Sequence, residues 1–288
     1  MKYIEARVFT DAHVIEPLSS VMTELGFSEF VIDDIPGGTG ITVYLENNRG
    51  GRESLEKIRS AVRALGEFRV EDTVVDDSAW KDRWKEFFKP VKVSGRIVIK
   101  PTWEKYKRKK DELVIEMDPG MAFGTGAHPT TAMCIKLMEH CEGQFKTVLD
   151  IGCGSGILSI SAALLGAETV LGVDNDPEAV EVAKANVAMN GLENRIQIKE
   201  GDLVKGVGLK ADIVVANLIP DLVLLLAEDI EENLVPGGFF ISSGILTEKL
   251  ETVKAGVKAA GFEIIDVLEE DEWCAFLHRK KISGQAKL

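Results

Sequence analysis

The 288-residue sequence predicts an α/β protein in two parts. Apolar strands and amphipathic helices alternate regularly beyond about residue 93, a shorter β-α-β-β-α-β pattern precedes them, and a basic, aromatic stretch separates the two. A hydrophobic fraction of 45% and a charged fraction of 28% are those of an ordinary globular chain. No run approaches the ~20 apolar residues of a membrane helix, and the opening MKYIEARVFTDAHVIEP lacks the basic flank and apolar core of a secretory signal. Cys134, Cys141, Cys153 and Cys274 form no CxxC pair and have no His at metal-ligand spacing, so they read as free thiols and the cytosol is the expected compartment, with no metal.

In chain order, Tyr3–Phe9 alternates as a strand does, and Val14, Leu18, Val21, Met22 and Leu25 fall at helical spacing up to Gly26. Phe27–Ile35 and Gly40–Leu45 read as strands joined by the turn PGGTG. A helix over Ser54–Leu65 stops at Gly66, and Phe68–Val75 supplies a last strand. This order predicts a small ferredoxin-like α+β domain over residues 1–76. It holds no cluster of reactive side chains and reads as a recognition module. Residues 77–92 follow as a linker, in which Trp80, Trp84, Phe87 and Phe88 share one face of a short helix stopped by Pro90. Those aromatics either dock the linker onto a neighbouring domain, which is the simpler reading, or form a stacking platform for nucleic acid.

Residues 93–288 form the larger domain. Strands are predicted at 146–151, 169–174, 195–200, 211–216 and 238–243, and helices at 127–141, 156–165, 176–190, 220–232 and 247–260. Such alternation implies a mostly parallel sheet with helices on both faces. The closing strands, 262–268 and 273–279, have no helix between them and predict a hairpin that sets one antiparallel strand into the sheet. The formal charge of −13 is unevenly spread: residues 77–110 carry 12 basic against 4 acidic side chains, and 111–288 carry 14 against 29. The acidic body disfavours direct nucleic-acid binding and attracts a basic partner. The basic stretch reads as a solvated linker face.

Five segments carry chemistry. In Val148-Leu149-Asp150-Ile151-Gly152-Cys153-Gly154-Ser155-Gly156 an apolar strand runs into three glycines at alternate positions, Gly152, Gly154 and Gly156, and a helix starts directly after them. Glycines let backbone approach a ligand, and the helix start offers free amides to an anionic group. Asp150 would repel a pyrophosphate but suits a ligand carrying an ammonium group, as S-adenosylmethionine does on its amino-acid tail. Asp174, 22 residues after Gly152, closes the next strand, where a carboxylate accepts from both ribose hydroxyls. Asp202 after the third strand is either an acceptor for the adenine amino group or a turn cap. Asn217-Leu218-Ile219-Pro220 follows the fourth strand, at the sheet edge where ligands bind. Asn217 and the carbonyl of Leu218 are candidates to align a substrate amine; the alternative is a helix cap. The last segment, 118–131, is a glycine-rich loop before a helix that begins near Pro129. Its Phe123 reads as part of a lid over the cofactor, Thr131 as a partner for the methionine carboxylate, and His128 as a structural partner rather than a base.

At DPGMAFGTGAHPTT (118–131), LDIGCGSGILSI (149–160), GVDNDPEAV (172–180), ANLIPDL (216–222) and the linker WKDRWKEFFKPV (80–91), the chain resembles the methyltransferases of large-subunit ribosomal protein eleven. The resemblance covers nearly the whole chain. It implies the class I S-adenosylmethionine-dependent methyltransferase fold, a seven-stranded mostly parallel sheet with one antiparallel strand. It also implies cofactor contacts at Thr131, Gly152, Asp174 and Asn217, with S-adenosylhomocysteine as product. The implied partner is a basic ribosomal protein, trimethylated at its α-amine and at lysines and gripped by the small domain. Glutamine and adenine-N6 methyltransferases carry Asn-Pro-Pro-aromatic where this chain has NLIP. A monomer without membrane attachment is expected. Methylation of an rRNA or DNA base, and a non-catalytic assembly factor that binds S-adenosylmethionine, are the alternative functions.

Overall fold

The structure, a computed structural model, describes residues 2–10, 18, 22, 31–35, 38–65, 69–76, 89–118 and 128–280. The chain divides into two compact units between Phe87 and Phe88. The division falls within 77–92, the stretch read as a linker, of which 77–88 with its four aromatics lies outside the described residues.

The first unit contains β1 (Lys2–Thr10), β2 (Val31–Ile35), β3 (Gly38–Glu46), α1 (Arg49–Leu65) and β4 (Arg69–Asp76). Its sheet runs β2-β3-β1-β4 with every neighbouring pair antiparallel, the strand order of a ferredoxin-like sandwich. Alternate strand residues share a face, so Ile4, Ala6 and Val8 of β1 and Ile41, Val43 and Leu45 of β3 point the same way. They bury Leu55, Ile58 and Val62 of α1 together with Leu18 and Met22, which are the described part of the helix expected over Val14–Leu25. α1 starts five residues before the predicted Ser54. Asn48 Oδ1 accepts from the Gly51 amide at 2.9 Å, a side-chain cap that lets Gly50 and Gly51 enter the first turn.

The second unit opens with a small sheet that periodicity does not reveal. β5 (Val91–Lys92) lies antiparallel and β7 (Leu113–Glu116) parallel to β6 (Ile97–Lys100). Strands of two and four residues are too short for alternation to register. After α2 (Pro129–His140) come β8 (Thr147–Ile151), α3 (Ile157–Leu164), β9 (Thr169–Asp174), α4 (Pro177–Met189) and β10 (Ile196–Glu200). β11 (Ala211–Asn217), α5 (Pro220–Asp229), β12 (Leu234–Leu246), α6 (Leu250–Ala259), β13 (Phe262–Glu270) and β14 (Trp273–Lys280) complete it.

These strands form the expected seven-stranded sheet in the order β10-β9-β8-β11-β12-β14-β13. The first five are parallel, and β14 enters antiparallel to β12, with β13 at the edge as its hairpin partner. One apolar core joins the sheet to α2, α3 and α4, and a second joins its other face to α5 and α6. From the adjacent strands β8 and β11 the chain leaves in opposite directions, toward β9 and β12. A crevice opens beyond the strand ends at such a reversal.

Candidate active site

Beyond Ile151 the chain turns through Gly152, Gly154 and Gly156 at φ of +69°, +53° and +79°. Residues with a Cβ avoid this left-handed region, which accounts for glycine at alternate positions. β9 fixes the turn: the amides of Gly152 and Cys153 donate to the Val173 carbonyl at 2.8 and 3.1 Å. The Gly154 amide donates to Asp174 Oδ2 at 2.8 Å, and the Asp176 amide to Asp174 Oδ1 at 3.0 Å. Each oxygen of this half-buried carboxylate thus has one backbone donor and retains acceptor capacity for a second. A Cβ on Gly152 would stand 2.5 Å from Leu218 Cδ2, inside the cleft wall.

β11 ends at Asn217, whose Nδ2 donates to the hydroxyls of Thr130 at 3.2 Å and Thr131 at 3.3 Å. That donation fixes the amide with Oδ1 on the other side. A Cβ on Gly244 would stand 3.0 Å from Asn217 Oδ1 and 2.5 Å from the Leu218 carbonyl oxygen. Gly244, at φ +83°, therefore packs its bare backbone against Leu218 and Asn217, where a side chain has no room. His128 supports the threonine end: its Nδ1 lies 2.7 Å from Thr130 Oγ1, and its ring stands edge-on to Trp273 at 5.2 Å.

Thr131, Gly152, Gly154, Asp174, Asn217 and Leu218 line one cleft of about 220 Å³. Cys153 also borders it, and burial pushes its thiol pKa up, away from the thiolate form. A wider groove of about 720 Å³ along β9 and β10 holds none of those six residues.

Three other predicted positions lie elsewhere. Asp150 is fully buried below the cleft, on the α3 side of β8; Oδ2 accepts from Ser159 Oγ at 2.6 Å and Oδ1 has no partner among the described residues. Burial raises this carboxyl to about 7. Strand alternation puts the Asp150 side chain on the same side of β8 as Val148. Gly156 lies at the N-cap of α3, where its missing Cβ lets Ala183 of α4 approach, a packing role. Asp202 is exposed, its carboxylate 2.5 Å from Lys205 Nζ and its carbonyl bonded to the Lys205 amide, which is the turn alternative. Phe123 lies outside the described residues, as does the whole of 119–127. Sequence reasoning missed Gly244 and Thr130. The glycine directly after Ser242-Ser243 near the end of β12 was the available signal.

Residues 2–281 match the sequence profile of the family described as "Ribosomal protein L11 methyltransferase (PrmA)". A "Ribosomal protein L11 methyltransferase" of Alkaliphilus oremlandii is 40% identical, over 98% of this chain and 99% of the relative. Another, from Caldanaerobacter subterraneus subsp. tengcongensis, is 46% identical over 80% of this chain and 74% of its own. The crystal structure of a ribosomal protein L11 methylase from Lactobacillus delbrueckii subsp. bulgaricus superposes with a TM-score of 0.64 at 32% identity, covering 67% of this chain and all of that one.

Proposed function

The chain belongs to the ribosomal protein L11 methyltransferase family, and from that premise we propose that it moves methyl groups from S-adenosylmethionine to amines of ribosomal protein L11, namely the α-amine and lysine ε-amines. The observation that carries this reading is the meeting, in one cleft, of a left-handed glycine turn, the Asp174 carboxylate with acceptor capacity to spare, and Asn217 and Leu218 at the end of β11.

Gly152 and Gly154 leave room for a ligand to lie against bare backbone, Asp174 accepts from the ribose hydroxyls, and Thr131 reaches the methionine end. When bound, S-adenosylmethionine supplies an electrophilic methyl carbon on a sulfonium. Asn217 Oδ1 and the Leu218 carbonyl accept N–H bonds from the incoming amine, which leaves its lone pair to point at that carbon. Transfer would form a new N–C bond at the amine nitrogen as the sulfonium S–C bond breaks. Only an uncharged amine has that lone pair, and at neutral pH about one lysine in a thousand or fewer is uncharged. The two oxygens therefore act by alignment. Asp174, the one carboxylate among the described cleft-lining residues, already accepts two amides. We accordingly assign the departing proton to water.

The test is Asn217→Ala with purified L11 and labelled S-adenosylmethionine, read by mass. Methyl transfer should fall at least about a hundredfold, as when a single aligned polar contact is removed. Cofactor affinity by calorimetry should stay within about tenfold, roughly 1.4 kcal/mol. Undiminished turnover removes Asn217 from the mechanism, and a wild-type chain that adds no methyl group to L11 removes the substrate.

A further inference from the structure

Helix α5 (Pro220–Asp229) leaves directly from the acceptor residues Asn217 and Leu218, and its outer surface is unlike that of a helix that only packs on a sheet. Its buried side is Val223, Leu226 and Ala227. Ile219, at its N-cap, is 62% exposed and Leu225 is 47% exposed. Among the described residues six large hydrophobics are exposed; two of them lie on this one segment, and Ile219 is the most exposed of all. Asp221, Leu225 and Glu228 follow at four- and three-residue steps and so form one exposed stripe. Neither Asp221 nor Glu228 has an ion-pair partner among the described residues. The core does not use these side chains, and they adjoin the site where an amine must arrive.

We infer that this face of α5 is a docking surface for a lysine- and arginine-rich segment of the protein substrate, an inference that rests on the function proposed above. Lysine and arginine lay their aliphatic stems along apolar surface while their heads stay in water or meet a carboxylate. Ile219 and Leu225 take the stems, and Asp221 and Glu228 the heads. With a rise of about 1.5 Å per residue, Leu225 lies roughly 12 Å from Asn217 along the helix, which about four residues of extended substrate would span. A neutral apolar partner would strand two carboxylates without counter-charge, and a phosphate backbone would be repelled by them. A basic polypeptide is the partner that suits both features.

The test measures binding, not turnover, by interferometry with immobilised ribosomal protein L11. The triple variant Asp221→Lys, Leu225→Ser, Glu228→Lys should bind at least tenfold more weakly than wild type, with cofactor affinity by calorimetry within about twofold. A control variant, Glu263→Lys with Glu269→Lys on exposed positions of β13, matches the triple variant's change in net charge. It should weaken binding less than threefold. Equal loss in both variants would show that overall charge alone is at work, and no loss in the triple variant would show that α5 is not touched; either overturns the docking surface. If wild type methylates L11 normally while the triple variant keeps full affinity, only this inference fails. If wild type neither binds nor methylates L11, the proposed function fails first.

Discussion

Gly152 and Gly244 both sit at positive φ beside the cleft, yet they guard different things, and separate readouts should tell them apart. A methyl on Gly152 would collide with Leu218 where the cofactor turn must lie bare, so Gly152→Ala should raise the cofactor dissociation constant at least tenfold in a calorimetric titration. A methyl on Gly244 would press on the Leu218 carbonyl and Asn217 Oδ1 and displace both, so Gly244→Ala should lower turnover at least tenfold with cofactor affinity within about threefold. Equal weakening of cofactor binding by both changes would contradict the division. Buried titrating groups supply a second contrast. His278 is enclosed by Phe240, Phe262 and Phe276, its Nε2 is 3.0 Å from Ser242 Oγ, and burial holds its pKa down at about 3. Between about 3 and the ordinary 6.5, the unfolded chain takes up a proton that the folded chain refuses, so acid weakens the fold through His278. Asp150, raised to about 7, works the other way: between 3.8 and about 7 the folded chain keeps a proton that the unfolded chain has released, so a rise in pH weakens the fold. From pH 4 to 6.5 the two contributions oppose each other. Urea unfolding should show His278→Phe gaining on wild type as pH falls and Asp150→Asn gaining as pH rises, each by at most about 1.4 kcal/mol per pH unit. Parallel pH curves for wild type and both variants would refute the pairing.

At the scale of elements, α2 is secured to the small sheet by one carboxylate. Glu139 Oε1 accepts from Ser94 Oγ at 2.6 Å and the Arg96 amide at 3.0 Å, and Oε2 accepts from the Gly95 amide at 3.1 Å. Three donors on one carboxylate close the β5–β6 turn, and Ser94 Oγ in turn accepts from the Ile97 amide. Glu139→Ala should cost about 2 kcal/mol and lower the calorimetric Tm by roughly 4–8 °C, with Glu139→Gln intermediate. A shift under about 1 °C in the alanine variant would remove the clasp. Neither this clasp nor the sheet it holds was legible in the sequence, because contacts between residues 94 and 139 leave no periodicity. Longer elements were legible: β9 and α4 announce themselves by an apolar run and by Asp176-Pro177, a side-chain cap followed by proline at the first turn. β12 was read short, from 238, because Pro236-Gly237-Gly238 looks like a turn. In the fold Leu234 already pairs with Ala211, and a register irregularity carries the strand past the glycines. The site followed the same logic. A left-handed turn leaves its glycines visible in sequence, and strand ends can be counted, so the positions of Gly152, Gly154, Asp174 and Asn217 could be read. Which side of a strand a carboxylate takes follows alternation, and Asp150 shares its side of β8 with Val148.

For the whole molecule, the sign and distribution of charge set how a basic substrate arrives. A net charge of −13, with 30 acidic against 23 basic side chains in residues 88–288, the acidic excess lying in 111–288, places an attractive field around the unit that holds the cleft. Field of this kind acts mainly on encounter and only weakly on the contacts formed afterwards. Its reach is about 10 Å in 0.1 M salt and about 3 Å in 1 M. Raising sodium chloride from about 50 to about 500 mM should therefore slow association with L11 at least tenfold in stopped-flow measurements, while the dissociation rate changes by less than about threefold. Cofactor binding, which depends on the backbone of the glycine turn and one carboxylate, should change much less over the same range. The α5 docking variant should respond differently from wild type: with two acids reversed next to the site, its dissociation should be fast at every salt concentration, whereas the distant β13 variant should only associate more slowly. A salt effect confined to dissociation in wild type would mean that the acidic body does not steer the substrate, and that its charge serves solubility alone.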